Sequence, residues 1–347
     1  MDAIFNMHKI KYVEMREMLR GTNKGSVQIF INLEPIMRKL ISAGIEDYLK
    51  TNRDKKLYEM ISNILNLAAH YRKYFSNEGR STEVIMYMSG PKAAFVNGAF
   101  VEDYRIDSKL KLYDKRTLFG RFMEDVIPLV KIMTTYFEGV YFITSDIVEP
   151  SLLPMITSNH MSNKVLITTE RYEYQYADHG YYILRPKKNS KSYLITKDDV
   201  IDRMKIEDKI ISEETVPSNF IPFILSFLGD PVRGIPKVKG VGLHKIIRII
   251  RDGVNKGYIT ENTNNLSLME DLLVDDIKNA VKRNFLAIDL KTQLNSVGKS
   301  TRMLIDEQKV DKFDNVSLKK LNEYFKMSPI MLDALQPLKE KKSVFQQ

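Results

Sequence analysis

With 347 residues, 44% of them hydrophobic and 28% charged, the chain is long enough for one large or two modest domains around a sizeable core, and its balance is that of a globular protein. Lys and Arg number 53 against 44 Asp and Glu, a net charge of +9 that suits a polyanionic partner such as nucleic acid. The lack of cysteine excludes disulfides and thiolate zinc sites, the scattered histidines form no metal-binding spacing, and no apolar run approaches the ~18 residues of a membrane span.

From Met1 to Leu19, apolar and charged residues recur at helical spacing without the continuous apolar segment of a signal peptide. Residues 1–25 are therefore expected to form a helical arm, on the surface or against a partner. SVQIFI at 26–31 follows the turn-prone GTNKG and predicts a buried strand. A helical stretch follows over about 35–75, with Leu57, Met60, Ile61, Ile64 and Leu65 recurring at three and four. EVIMYM at 83–88, VYFIT at 140–144 and VLITT at 165–169 predict further buried strands. Strands apolar on both faces, alternating with helices, indicate a parallel sheet covered on both sides, with the ligand site beyond its carboxyl ends. YYILRPKKNSKSYLIT at 181–196 reads as a hairpin with a basic tip. Beyond Val200 the pattern is mostly helical, with Pro217 as a hinge near the domain boundary. The fold class expected is α/β: a parallel sheet flanked by helices over 26–200, then a helical region over 201–347.

The most informative segment is FLGDPVRGIPKVKGVGLHKIIRII at 227–250. Gly240 and Gly242 permit tight backbone and leave no side chain in the way. The loop of Gly240, Val241 and Gly242 can then present amide N–H groups to a phosphate, at the start of a helix whose dipole also favours an anion. Lys237, Lys239 and Lys245 surround that loop. Such a loop grips backbone phosphates and reads no sequence. A glycine-rich turn with merely solvated lysines is the bland alternative.

GIPKVKGVG, preceded by LGD and followed by an apolar helix, resembles the helix–three-turn–helix of the flap endonuclease and 5′–3′ exonuclease family, its phage members included. The likeness runs over about 27–289. It implies a PIN-like 5′-nuclease sheet, a helix–three-turn–helix over about 217–252, and duplex, junction or flap DNA as partner. It also implies a potassium ion at the Gly240–Gly242 loop and two divalent ions, Mg or Mn, at a cluster of strand-end carboxylates. Against that pattern several positions have changed: Asn32, Ser89, Val148, Tyr172 and Arg233 stand where acids belong. Asp146, Glu149, Glu170 and Asp230 remain as candidate metal ligands, with Glu170 and Asp230 the candidate catalytic pair. The depletion, and the positive charge of Arg233, argue against a two-metal centre and leave a single-metal site open. Glu34, Asp178 and Asp198 are further candidate acids that read better as solvated surface groups.

FVEDYR at 100–105 resembles the family's approach to a basic arch, where Arg105 and Lys109 are DNA-binding candidates. In RYEYQYADHGYY at 171–182, Tyr172, Tyr174 and Tyr176 alternate as on a strand face, where packing explains them better than base stacking. NFLAIDL at 284–290 resembles a segment found after the clamp in family members. The expectation is a DNA-binding protein of the flap-endonuclease-like fold with weakened or lost nuclease activity. It would act in replication or repair, or as a subunit of a nucleic-acid-handling assembly joined through the N-terminal arm or C-terminal tail. Its expected location is the cytoplasm, a host's if the chain is viral. The alternative is an active Mg- or Mn-dependent structure-specific 5′ nuclease.

Overall fold

The four apolar runs become the spine of the molecule in the computed structural model, which describes residues 25–37, 53–76, 81–90, 118–135, 137–185, 193–195, 220–230, 234–257 and 273–309. They form β1 (Ser26–Asn32), β2 (Ser81–Ser89), β3 (Val140–Ser145) and β4 (Asn163–Ile167). β5 (Tyr181–Arg185) adds a fifth parallel strand, and β6 (Tyr193–Ile195) folds back antiparallel on it, as the hairpin pattern requires. Across the sheet the order is β3-β2-β1-β4-β5-β6. The chain steps outward from β1 through β2 to β3, then crosses to the other flank of β1 with β4. That reversal makes β1 and β4 the switch point of a doubly wound sheet, where a crevice opens at the carboxyl ends.

Residues alternate between faces along a strand. Val27, Ile29 and Ile31 join Val84, Met86 and Val165 in a core closed by α1 (Arg53–Ser76) and α2 (Leu118–Thr134). Met60, Ile61, Ile64 and Leu65 of the predicted helical stripe are the α1 residues that pack there. Phe30, Ile85, Tyr87 and Leu166 face the other way. Their core is closed by α3 (Leu153–Thr157), a 3-10 helix (Arg171–His179) and the C-terminal helices. The latter are α4 (Ile221–Leu228), α5 (Leu243–Asn255), α6 (Asp275–Ile288), α7 (Leu290–Ser296) and α8 (Lys299–Asp306). α4 reads IPFILSFL, apolar all round, and Ile221 through Phe227 are buried without a break, as an all-apolar helix demands. Phe223, Ile224, Phe285 and Ile288 share one continuous core with Phe30 and Leu166, so the C-terminal helices are seated on the sheet itself.

The outer edge of β3 is closed by a side chain. The Gln308 carboxamide donates to the Thr144 carbonyl (2.9 Å) and accepts from the Thr144 N–H (3.2 Å), so one glutamine does what a neighbouring strand would do. No helix among the described residues is long and apolar enough to cross a membrane.

One local expectation is corrected. Tyr172, Tyr174 and Tyr176 lie on a 3-10 helix and not on a strand, while Tyr181 and Tyr182 open β5. β4 ends at Ile167, the chain turns through Thr168 and Thr169, and residues Tyr172 through Ala177 are all buried. Tyr176 meets the Tyr181 ring edge-on at 4.6 Å, and its hydroxyl donates to the Ser151 carbonyl. These rings fill the core, so none is available to stack on a base. The N-terminal arm, Arg105 and Lys109 of the arch, Arg233, Pro217, the tip of the β5–β6 hairpin and the tail from 310 onward lie outside the described residues.

Candidate nucleic-acid interface and strand-end site

The loop between α4 and α5 has a period of three. Ile235, Val238 and Val241 are buried pegs in the core, at 2, 5 and 3% exposure. Between and after the pegs, Pro236, Lys237, Lys239, Gly240 and Gly242 face outward. The loop is thus pinned from below and bare above. Lys245 and Arg248 extend the exposed cationic row along α5 at a spacing that keeps them on one face. Gly240 sits at φ +74°, a left-handed conformation that a side chain would strain. Gly242 does not; its place is the N-cap of α5, where its carbonyl accepts from Lys245 N (3.0 Å) and Ile246 N (3.1 Å). The positive end of the α5 dipole therefore opens beside the exposed lysines.

Backbone bonds lock the entry to this loop. Asp230 and Ile235 exchange N–H···O bonds in both directions at 2.9 Å, and Val238 N donates to Phe227 O at 2.9 Å. Gly229 N closes α4 onto Leu225 O at 2.8 Å. The Gly-Asp pair read as a remnant of a metal motif thus has a structural duty in its glycine.

At the switch point a different centre appears, one built around an acid that sequence reading passed over. Glu173 is completely buried. Its carboxylate accepts from the Asn32 amide (3.0 Å to each oxygen), from the Tyr87 hydroxyl (2.8 Å) and from the Thr168 hydroxyl. These donors come from the ends of β1, β2 and β4, and Asn32 and Tyr87 are register partners. Burial pushes the carboxyl up from its ordinary 4.5 to about 7, against the pull of the three donors, and the nearby charge of Glu170 adds to the rise. Burial likewise holds the Tyr87 hydroxyl well above its usual value, so it stays a proton donor. The signal available in sequence was an acid between two tyrosines in YEY, a position with no polar escape.

The neighbouring positions are committed to the same task. Asn32 Oδ1 accepts from Glu34 N (3.0 Å), so both ends of that amide are occupied inside the protein. Tyr172, in place of a family acid, is buried with its hydroxyl 3.0 Å from Gln293 Nε2 on α7. Gln175 donates to Tyr172 O (2.8 Å) and Ile288 O (3.1 Å) and accepts from Leu290 N (3.0 Å), stitching the 3-10 helix to the α6–α7 turn.

The surviving acids occupy scattered settings. Asp146 is exposed just past β3, Glu149 is fully buried before Pro150, and Glu170 and Asp230 are half-buried. Among the described residues no three His, Asp or Glu side chains gather as a metal site. Asp146, Glu149, Glu170 and Asp230 are thus not part of any group of three or more such side chains among the described residues. Divalent Mg or Mn wants several convergent, unoccupied oxygens. Here one strand end offers an amide nitrogen to a carboxylate, and the carboxylate is saturated by protein donors. The described residues do not fit the two ions.

No family model matches the sequence, and no curated protein matches it. Solved structures do. Bacteriophage T5 5′-exonuclease with divalent zinc bound aligns over 81% of this chain and 97% of its own, at 14% identity and a TM-score of 0.52. The bacteriophage T5 flap endonuclease, in a pseudo-enzyme–product complex with DNA and metal ions, aligns over 89% of this chain and 99% of its own, at 13% identity and a TM-score of 0.50. At such identity the likeness concerns architecture, and it agrees with the parallel sheet, its switch point and the helical clamp region: this chain has the fold of the flap endonuclease and 5′–3′ exonuclease family.

Proposed function

We propose that the chain binds DNA through phosphates, without regard to sequence, and that its power to cleave phosphodiesters is weakened or lost. The observation that carries the binding half is the pegged loop, with Ile235, Val238 and Val241 inward and Lys237, Lys239, Gly240 and Gly242 outward at a helix N-terminus. A rigid, bare, cationic bend suits a sugar-phosphate rail. The potassium ion of the resemblance belongs to this half of the proposal, at the same loop. The carrying observation for the second half is Glu173, whose three donors occupy the place where strand-end acids would hold metal. Duplex with a junction or flap is the proposed form of the DNA, within replication, repair or a larger nucleic-acid-handling assembly. Residues 1–25 and the tail are the proposed contacts for protein partners.

The test is fluorescence anisotropy with labelled duplex and flap DNA at several salt concentrations. Reversing two charges with Lys237→Glu plus Lys239→Glu is expected to weaken binding at least tenfold on every sequence, and to lower the salt slope by about 2. Binding untouched by the double change rules the loop out. Incubating flap, nicked and single-stranded DNA with Mg or Mn tests the second half. Specific cleavage by pure protein would favour the alternative, an active 5′ nuclease.

A further inference from the structure

We infer that Asn284, a residue with no contact to the exposed surface, is the positioning residue that sets the phosphate-binding loop. The inference rests on the DNA-binding reading above.

Asn284 lies in α6 and is completely buried. Its side-chain amide makes two bonds, to Ser226 O and to Pro236 O, both at 2.8 Å. Each partner is informative. Ser226 belongs to the last turn of α4, whose carbonyls have no partner inside the helix. Three such carbonyls are taken in succession: Leu225 O by Gly229 N, Ser226 O by Asn284, and Phe227 O by Val238 N. Asn284 therefore stands between the bond that closes α4 and the bond that folds the loop back onto it.

Pro236 is an outward residue between the pegs Ile235 and Val238. Its carbonyl belongs to the peptide plane that also carries the Lys237 N–H, and the described chain has no cis peptide bond. In a trans peptide the C=O and N–H point in opposite directions. Holding Pro236 O on the Asn284 amide consequently turns the Lys237 N–H away from α6. One buried contact thus sets the peptide plane that carries the Lys237 N–H.

A second feature separates this role from simple packing. Asn284 Oδ1 is buried and has no hydrogen-bond partner. A buried, unsatisfied acceptor costs stability, and an apolar side chain among Val281, Phe285 and Ile288 would avoid that cost. What the carboxamide supplies in return is a pair of N–H donors on two carbonyls that frame the loop.

The experiment uses the full chain. Asn284→Ala is expected to weaken duplex binding about tenfold, the equivalent of one well-made hydrogen bond. Amide hydrogen exchange is expected to speed up at 237–242 and to stay unchanged in β1 and β2. In a Lys237→Ala, Lys239→Ala background the same change is expected to cause a smaller further loss, because the lysine side chains are gone while the Lys237 N–H remains. If the alanine variant does not fold, Asn284→Gln, which moves the amide outward by one methylene, is read in its place with the same expected direction. Wild-type affinity in the variant, or an equal loss in both backgrounds, overturns the inference. If the wild-type chain binds no DNA, the functional reading fails by itself, and the exchange rates at 237–242 still decide whether Asn284 sets the loop.

Discussion

Gly229→Ala is expected to lower stability by about 3–5 kcal/mol and to abolish DNA binding with it. Two independent costs add. Gly229 closes α4 at φ +70° and ψ 175°, a region essentially reserved for glycine. A Cβ there would also lie 2.6 Å from Ile235 O, 2.6 Å from Lys237 N and 2.7 Å from Pro236 C. All three are backbone atoms of the loop, so no rotamer relieves the clash, and the loop must lift from α4. Gly240→Ala is the control. It shares the positive φ of +74° but meets nothing within 4 Å, so only the strain of about 1–2 kcal/mol remains. Thermal unfolding of the two variants beside wild type reads the difference. Equal costs at Gly229 and Gly240 would show that the tight approach is not what keeps residue 229 a glycine.

The second large effect is a pH dependence carried by Glu173. Its carboxyl has an ordinary value of 4.5 when the chain is unfolded and about 7 when folded, chiefly because burial disfavours its charge. Below 4.5 both states hold the proton and pH has no leverage. Between 4.5 and 7 the unfolded chain releases a proton that the folded chain keeps, so stability falls as pH rises. The slope approaches 1.4 kcal/mol per unit, which sums to ~3 kcal/mol across the window. Above 7 both states have lost the proton and the dependence ends. Glu173→Gln keeps the shape and removes the titration. Denaturant unfolding at pH 5 and pH 8 is expected to show the wild type losing ~3 kcal/mol more than the glutamine variant. Identical losses in the two proteins would mean that Glu173 folds with an ordinary carboxyl.

Both effects concern positions that the sequence displays openly but whose duties it assigns differently. Gly229-Asp230 reads as the opening of a metal motif, while the backbone packed around Gly229 makes it the point where α4 ends and the α4–α5 loop lies against it. Glu173 sits three residues past Glu170 and reads as one more charge in a tyrosine-rich run. The register of β1 with β2, and the crossing to β4, bring Asn32, Tyr87 and Thr168 onto it from 141, 86 and 5 residues away. No local pattern encodes that meeting, because three strand ends and a helix must first be placed.

By itself the sequence determined the parts whose physics is local. Apolar runs of strand length, bounded by turn residues, marked the four strands, since a strand covered on both faces buries every residue. Gly240 and Gly242 with Lys237, Lys239 and Lys245 around them marked the loop, and the structure added the buried pegs Ile235, Val238 and Val241 that anchor it. Tertiary structure alone decided what lies beyond the strand ends. There, neutral amide and hydroxyl groups converge on one buried carboxyl, and Asn284 reaches across from α6 to hold the loop. Those outcomes depend on burial and on distances between remote segments, and neither exists until the sheet is wound and the helices are seated.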